Sequence, residues 1–508
     1  MKRKKEVIII LASIVVIILS VSVAYFTTKI TSKNRKVTVI SSELKMVFTS
    51  GTGTISGTEI KPGWSSGVNS FTVKNESNGT YKYNIIIKDL VNTFTTNGFL
   101  VYKITSSDGG YNMSEFKDVP KSSTAKDEIL AYSVEIAKGK THSYSVEFKY
   151  LNSETESQNE DMGKTLSGIL YIEKGTVDPH SPYIEGTLGW KIMDDNITRL
   201  TRADFDTTFT ETNTGTLYKA TESIEGSTPK DVYYFAGNAL NNWVKFANYY
   251  WRIIRTSHDG SIRLLYSGTS PDTTSGYIGK SAFNNTYDDS MYVGYMYGTS
   301  GSQPNNRANE NDSTIKGVID TWYKDNLKTN YEKYISTEAV YCNDRELASE
   351  TYSANGSKFY YAAYTRLYTN KTPTYNCTNI KDAFSGSNSE AKLTYPIGLM
   401  TADEIAYAGG KVGTYLTNHY AWYFINSIGE SITGSTFWWS LSPYGRDDHS
   451  LRIWGVHGST YPGDLDVNYL YGSYGVRPAI SLKSCIKYST GNGTSETPYE
   501  IVETSSGC

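Results

Sequence analysis

The first twenty-six residues constrain this chain more than any other feature. Met1 is followed by Lys2, Arg3, Lys4 and Lys5, and after Glu6 an uncharged run from Val7 to Phe26 consists almost entirely of Ile, Val, Leu, Ala and Ser. Twenty helical residues rise roughly 30 Å, the thickness of a bilayer's hydrocarbon core, and a basic cluster ahead of such a run stays on the cytoplasmic side. The expectation is a cytoplasmic tail at 1–6, a single-pass transmembrane signal anchor at 7–26, and an extracellular bulk. Ser22-Val23-Ala24 has the small-x-small form of a signal-peptidase site, and cleavage after Ala24 would release a secreted protein. The apolar run is longer than a usual signal core, so retention in the cell membrane is expected.

The remaining length exceeds what one hydrophobic core serves, and 508 residues predict two to four units. Lys+Arg 49 against Asp+Glu 52 gives a net charge of -3, with no basic block after the first five residues. That lacks the electrostatic footprint of a nucleic-acid binder, and no nucleic-acid partner is expected. The four cysteines, Cys342, Cys377, Cys485 and Cys508, allow three pairings in an oxidising compartment. The sequence-local pairing, Cys342 with Cys377 and Cys485 with Cys508, would close loops worth about 3 kcal/mol each. Free buried thiols are the alternative, and no CxxC or His/Cys cluster suggests a metal or cofactor site.

Residues 36–175 read as short alternating strands, at 36–40, 70–74, 81–88, 99–104, 143–150 and 167–172, separated by Gly, Ser, Thr and Asn clusters. That spacing predicts an all-β sandwich. Within it Phe71 to Asn75, Asn78-Gly79 and Tyr81 to Ile85 predict two strands joined by a tight turn. A linker is read at 176–190, where Gly, Pro and Asp occur without periodicity. Beyond it, Tyr249–Arg255 and Ser261–Tyr266 around His258-Asp259-Gly260 predict a β-hairpin. Asp312 to Leu327 predicts a helix with Ile315, Val318, Ile319, Trp322 and Leu327 on its apolar face. Thr401 with Glu404 has capping-box spacing, and Gly409-Gly410 ends the helix it starts. A terminal run of strands leads to Leu482, and a hairpin and tail occupy 485–508.

Three stretches carry a family resemblance. Leu399-Met400-Thr401-Ala402-Asp403-Glu404-Ile405-Ala406-Tyr407-Ala408-Gly409-Gly410, Phe437-Trp438-Trp439-Ser440-Leu441-Ser442-Pro443 and Gly475-Val476-Arg477-Pro478-Ala479-Ile480-Ser481-Leu482 resemble elements of the C-type-lectin-like fold in its formylglycine-generating-enzyme-like (sulfatase-modifying-factor-like) branch. The resemblance implies an α+β C-type-lectin-like domain at 191–484. It does not extend to catalysis, because the family's paired-cysteine copper site falls late in the domain and no cysteine lies between Thr378 and Ser484. Upstream, Ala24-Tyr25-Phe26, Ile60-Lys61-Pro62-Gly63 and Phe71-Thr72-Val73-Lys74-Asn75 resemble the TasA/camelysin-like exported proteins of Gram-positive bacteria, which implies a β-sandwich stalk.

The segment from Pro443 to Gly475 is similar to the ligand-binding stretch of variable proteins from diversity-generating retroelements. It is rich in Tyr, Asp, Ser, Gly, His, Asn and Thr, the residue types that paratopes use as rigid anchors and adaptable hydrogen-bonding neighbours. The expected ligand-binding residues are Tyr444, Arg446, Asp447, Asp448, His449, Arg452, Trp454, His457, Tyr461, Asp466, Asn468, Tyr469 and Tyr471, with Trp454 or Tyr461 as stacking surfaces for a sugar. An ordinary Gly-rich strand-and-turn region is the plainer alternative. Asp464-Leu465-Asp466-Val467-Asn468 copies the start of a calcium loop, but Tyr469 stands where the turn needs Gly and Gly475 where a bidentate Glu would close the shell. No catalytic residue and no metal ligand is therefore assigned.

The reading is a membrane-tethered adhesin or receptor that binds a protein or glycan on another surface and is not an enzyme. A structural surface or matrix fibre is the first alternative, and a divergent formylglycine-generating-like enzyme the second.

Overall fold

Strict two-residue alternation builds the first part of the molecule. Along Thr141–Tyr150, residues His142, Tyr144, Val146, Phe148 and Tyr150 are buried while their neighbours face outward, and Thr165–Lys174 repeats the pattern. In this computed structural model the described residues are 26–30, 36–40, 45–50, 55–176, 178–348, 351–417, 421–447 and 450–508. The expected anchor lies outside them apart from Phe26, which opens the strand Phe26–Ile30. No helix among the described residues is long and apolar enough to cross a membrane. The protein is mostly β, with several antiparallel sheets and a few short helices, and it divides into two compact units, Met1–Pro179 and His180–Cys508.

In the first unit one sheet orders Ser122–Ile136, Tyr81–Asn92, Thr165–Lys174, Phe26–Ile30 and Ile55–Ile60, and a second contains Lys45–Ser50, Asn69–Asn75, Thr141–Tyr150 and Leu100–Ser106. Phe71, Val73 and Phe148 of the second sheet share a core with Tyr83, Ile85 and Leu170 of the first. The tight hairpin expected at Asn78-Gly79 is not formed. Asn69–Asn75 pairs with Lys45–Ser50 and Thr141–Tyr150, whereas Tyr81–Asn92 pairs with Ser122–Ile136 and Thr165–Lys174. The turn crosses between sheets because the buried Asn75 amide donates to Gly79 O (2.8 Å) and Ile136 O (3.0 Å), while its Oδ1 accepts from Ser77 N (2.9 Å). One side chain thus supplies the bonds that a ladder would otherwise provide.

In the second unit the hairpin Tyr249–Thr256 and Ile262–Tyr266 forms around Asp259, whose Oδ1 accepts from Ser261 N (3.0 Å), and Gly260, whose φ of +80° suits glycine. Ile262–Tyr266 then pairs with Pro478–Leu482, which pairs with Ile397–Leu399. Part of the segment read as a linker belongs to this unit: Tyr183 and Leu188 lie in its core, and Thr187 caps the helix Leu188–Asp195. The tail joins the same sheet through Tyr499–Ile501, parallel to Trp243–Phe246. Helix Thr314–Asn326 is capped by Ser313 and buries Ile315 and Ile319, while Val318 and Trp322 are only half-buried. Tyr323 takes their place in the core, and the buried Lys316 ammonium sits between Asp312 (3.2 Å) and Asp320 (2.6 Å) one turn to either side.

Helix Ala402–Ala408 has the capping box expected of Thr401 and Glu404, and Gly409 ends it at φ +115°. Glu404 does more than cap. While its Oε2 accepts from Thr401 N (3.0 Å), its Oε1 accepts from Arg255 Nε (2.8 Å) and Arg263 Nη1 (2.7 Å), which stand on the two strands of the hairpin. Arg255 also donates to Glu222 Oε1 (2.8 Å), and Arg366 grips Asp403 with Nε and Nη2 (2.9 and 2.8 Å). Burial raises both Glu222 and Glu404, but the guanidinium groups outweigh it and hold each carboxyl below the usual range. Both sequence-local disulfides form, Cys342–Cys377 and Cys485–Cys508, so the folded chain belongs in an extracytoplasmic compartment.

Replacing Glu404→Gln leaves Arg263 buried without a carboxylate and should lower unfolding free energy by about 3–5 kcal/mol. Urea denaturation of the variant and parent measures this; a loss below about 1 kcal/mol would show that the hairpin and helix are held by apolar packing instead.

Candidate binding surface

The segment expected to bind ligand forms the middle of a second sheet. Trp438–Asp447 pairs with Ser450–Val456, which pairs with Leu465–Tyr469. Arg452 stands opposite Tyr469 and Val456 opposite Leu465, so four residues of strand, about 14 Å, separate the two ends of the hairpin. The expected residues distribute between these ends and do not share one face.

At the first end Asp447 and Arg452 form an ion pair (Oδ2 to Nε, 2.5 Å). The Arg452 guanidinium lies over the Tyr469 ring at 4.4 Å and donates to its hydroxyl at 3.2 Å. Tyr469 stacks on Tyr471 (5.5 Å, 13°), and Tyr471 meets Tyr287 at 4.7 Å. Beside this row Tyr444 packs edge-on against Tyr360 and Tyr364 at 5.2 and 5.5 Å. Tyr360, Tyr364 and Tyr368 stack in a ladder at 4.0 and 5.3 Å, where the strand Phe359–Tyr360 leads into a helical turn at Ala362–Tyr364 that continues as a π-helix over Thr365–Asn370. At the second end Tyr461 meets His457 at 4.9 Å and Tyr415 at 5.4 Å, and His457 Nε2 lies 3.2 Å from Asp466 Oδ2.

Several expected residues are occupied elsewhere. Trp454 is 1% exposed, packed against Tyr444 within the core, and leaves no ring face for a sugar. It cannot be the stacking platform. Arg446 is buried and donates to Ser290 Oγ (3.3 Å) and to the carbonyls of Asp288 and Ala354 (3.2 Å each), which makes it a scaffold residue. The Asn468 Oδ1 accepts from the Tyr474 hydroxyl at 2.9 Å. Asp448 and His449 lie outside the described residues. Tyr287, Tyr360, Tyr364, Tyr368 and Tyr415 were not assigned from sequence; the i, i+4, i+8 spacing of the middle three was a legible signal, whereas Tyr287 and Tyr415 are joined only by the fold.

Among the described residues no group of three His, Cys, Asp or Glu is arranged to hold a metal ion. A highly charged cleft, lined by Glu222, Arg255, Asp344, Arg366, Asp403 and Glu404, encloses about 20 Å³. That is room for one water, and the charges there satisfy one another. Burial raises Asp344 within it, against the pull of Arg366.

Beside the second aromatic group, burial and then the neighbouring Asp466 push the Asp464 carboxyl up to about 6. Because that lies above the unfolded value of about 3.9, the native state holds the extra proton between pH 4 and 6, and stability falls as pH rises through this window. Asp464→Asn should therefore match the parent near pH 4 and exceed it by about 2 kcal/mol at pH 7. Paired thermal melts across pH 4–7 measure the difference; a constant offset would contradict the assignment. Compared with known proteins, the chain matches no family model, no curated protein and no solved structure.

Proposed function

We propose that this chain is an extracellular binding protein, an adhesin or receptor tethered by its N-terminal segment, with its ligand surface on the second unit. One observation carries the reading. All five exposed tyrosines among the described residues, Tyr287, Tyr368, Tyr415, Tyr461 and Tyr471, are 44% to 54% exposed, and each is in ring contact with another tyrosine. Exposed aromatic rings held by their neighbours lose little conformational freedom on binding, which is the economy of a paratope. Their ligand is a protein or glycan on another surface, with Tyr471 and Tyr461 replacing Trp454 as the stacking platforms. The capped Ala402–Ala408 helix and the closing Pro478–Leu482 strand support the C-type-lectin-like reading of this unit, with the first unit as a β-sandwich stalk.

A fibre built by strand addition is less well supported. The edge strand Ser122–Ile136 carries Lys126, Asp127 and Glu128 and shifts register four times against Tyr81–Asn92, features that oppose edge-to-edge pairing. For a divergent oxidase, all four cysteines are engaged in disulfides.

The combined variant Tyr287→Ala, Tyr461→Ala, Tyr471→Ala should lose at least tenfold in binding to whichever cells or glycans the parent retains on an array. Its melting temperature should stay within about 2 °C, since the rings are surface groups. Undiminished binding would overturn the assignment.

A further inference from the structure

The buried arginines of the second unit fall into two sets. Arg255, Arg263, Arg307 and Arg345 each pair with a carboxylate. Arg252, Arg446 and Arg477 have no carboxylate partner among the described residues, and Arg252 is the one of these that lines a cavity of about 300 Å³. Its guanidinium donates to Asn242 Oδ1 (2.6 Å), Ala239 O (2.9 Å) and Ile425 O (3.4 Å) and lies 4.2 Å over the Trp243 ring. The residue is 2% exposed. These contacts are to neutral groups, so a whole positive charge stands buried without a counter-ion, a costly state. Burial pushes this guanidinium well below its ordinary range, and the neighbouring Arg477 adds to that.

The rest of the wall fits the same chemistry. Asn426 is satisfied, its Oδ1 accepting from Ile428 N and Glu430 N of its own loop and its amide donating to Asp272 O, while Ser495 and the exposed Glu496 stand on the tail loop. Glu496 faces solvent, where its repulsion of an anion is screened. We propose that this cavity is a binding site for a small carboxylate that also carries hydroxyl or amide N–H groups: the carboxylate meets Arg252, and the other groups meet the polar wall at Thr494 and Ser495. A planar carboxylate suits the guanidinium fork, and 300 Å³ lies at the lower end of ligand-sized pockets. Two sources share this chemistry, an acidic sugar and a peptide C-terminus. The site uses different elements from the tyrosine groups, so the two assignments fail independently.

Calorimetric titration of the full chain at low salt with glucuronate and with N-acetylglycine, beside glucose and N-acetylglycinamide as neutral counterparts, tests this. At least one carboxylate should bind, tenfold or more tighter than its neutral counterpart, and which one binds identifies the source. Ser495→Trp, which fills the cavity from the tail loop, should weaken that binding at least tenfold without lowering the melting temperature, and Arg252→Gln should abolish it. Should Arg252→Gln fail to fold, Ser495→Trp decides. No binding by either carboxylate, equal binding by the neutral compounds, or binding indifferent to Ser495→Trp would overturn the proposal.

Discussion

The second unit depends on the carboxylate of Glu404. This one group closes the first turn of the Ala402–Ala408 helix and receives two arginines from opposite strands of the Tyr249–Tyr266 hairpin. Through Arg255 the bond pattern extends to Glu222, and the adjacent Asp403 holds Arg366. Buried ion pairs add little net stability over well-packed apolar residues, but removing one partner is expensive, so such a knot chiefly penalises wrong arrangements. With helix, hairpin and Thr216–Glu222 strand locked together, Pro478–Leu482 has a fixed edge to join, and the loops beyond it are presented from a rigid base.

Much of this fold was legible in the sequence wherever one local rule sufficed. Period-two alternation marked strands at 143–150 and 167–172, which the fold extends to Thr141–Tyr150 and Thr165–Lys174, and the Thr401/Glu404 spacing located a helix start. The rules failed where a residue acted at long range. Asn75 sends the chain from one sheet to the other, which no turn signal near Asn78-Gly79 discloses. Ser122–Ile136 escaped notice because its exposed, charged and bulged first half carries no alternation. Arg477 is buried without a carboxylate partner among the described residues and is solvated instead by the carbonyls of Tyr266 and Tyr423 and by the Trp438 face, a long-range arrangement that no local rule discloses.

The candidate binding surface was half legible for a related reason. Composition singled out the stretch from Tyr444 to Tyr471, but composition has no direction, and strand geometry sends its two ends about 14 Å apart. Trp454 and Arg446 read as ligand contacts because their types suit recognition; both face inward, where the same aromatic area and fork of donors serve packing. Tyr287 and Tyr415 come from loops distant in sequence and complete the aromatic groups through tertiary contact. The tyrosine excess of the chain, 43 Tyr against 16 Phe, thus divides between buried rings and a small set of paired rings at the surface.

The claim that recognition runs through these paired surface rings is tested most directly by hydroxyl-radical footprinting of the full chain, free and bound to its target surface, with oxidation read at each tyrosine by mass spectrometry. The account predicts protection on binding at Tyr287 and Tyr471, at Tyr415 and Tyr461, or at both pairs, with tyrosines of the first unit unchanged. Protection confined to the first unit, or none at any of the exposed tyrosines, would contradict it.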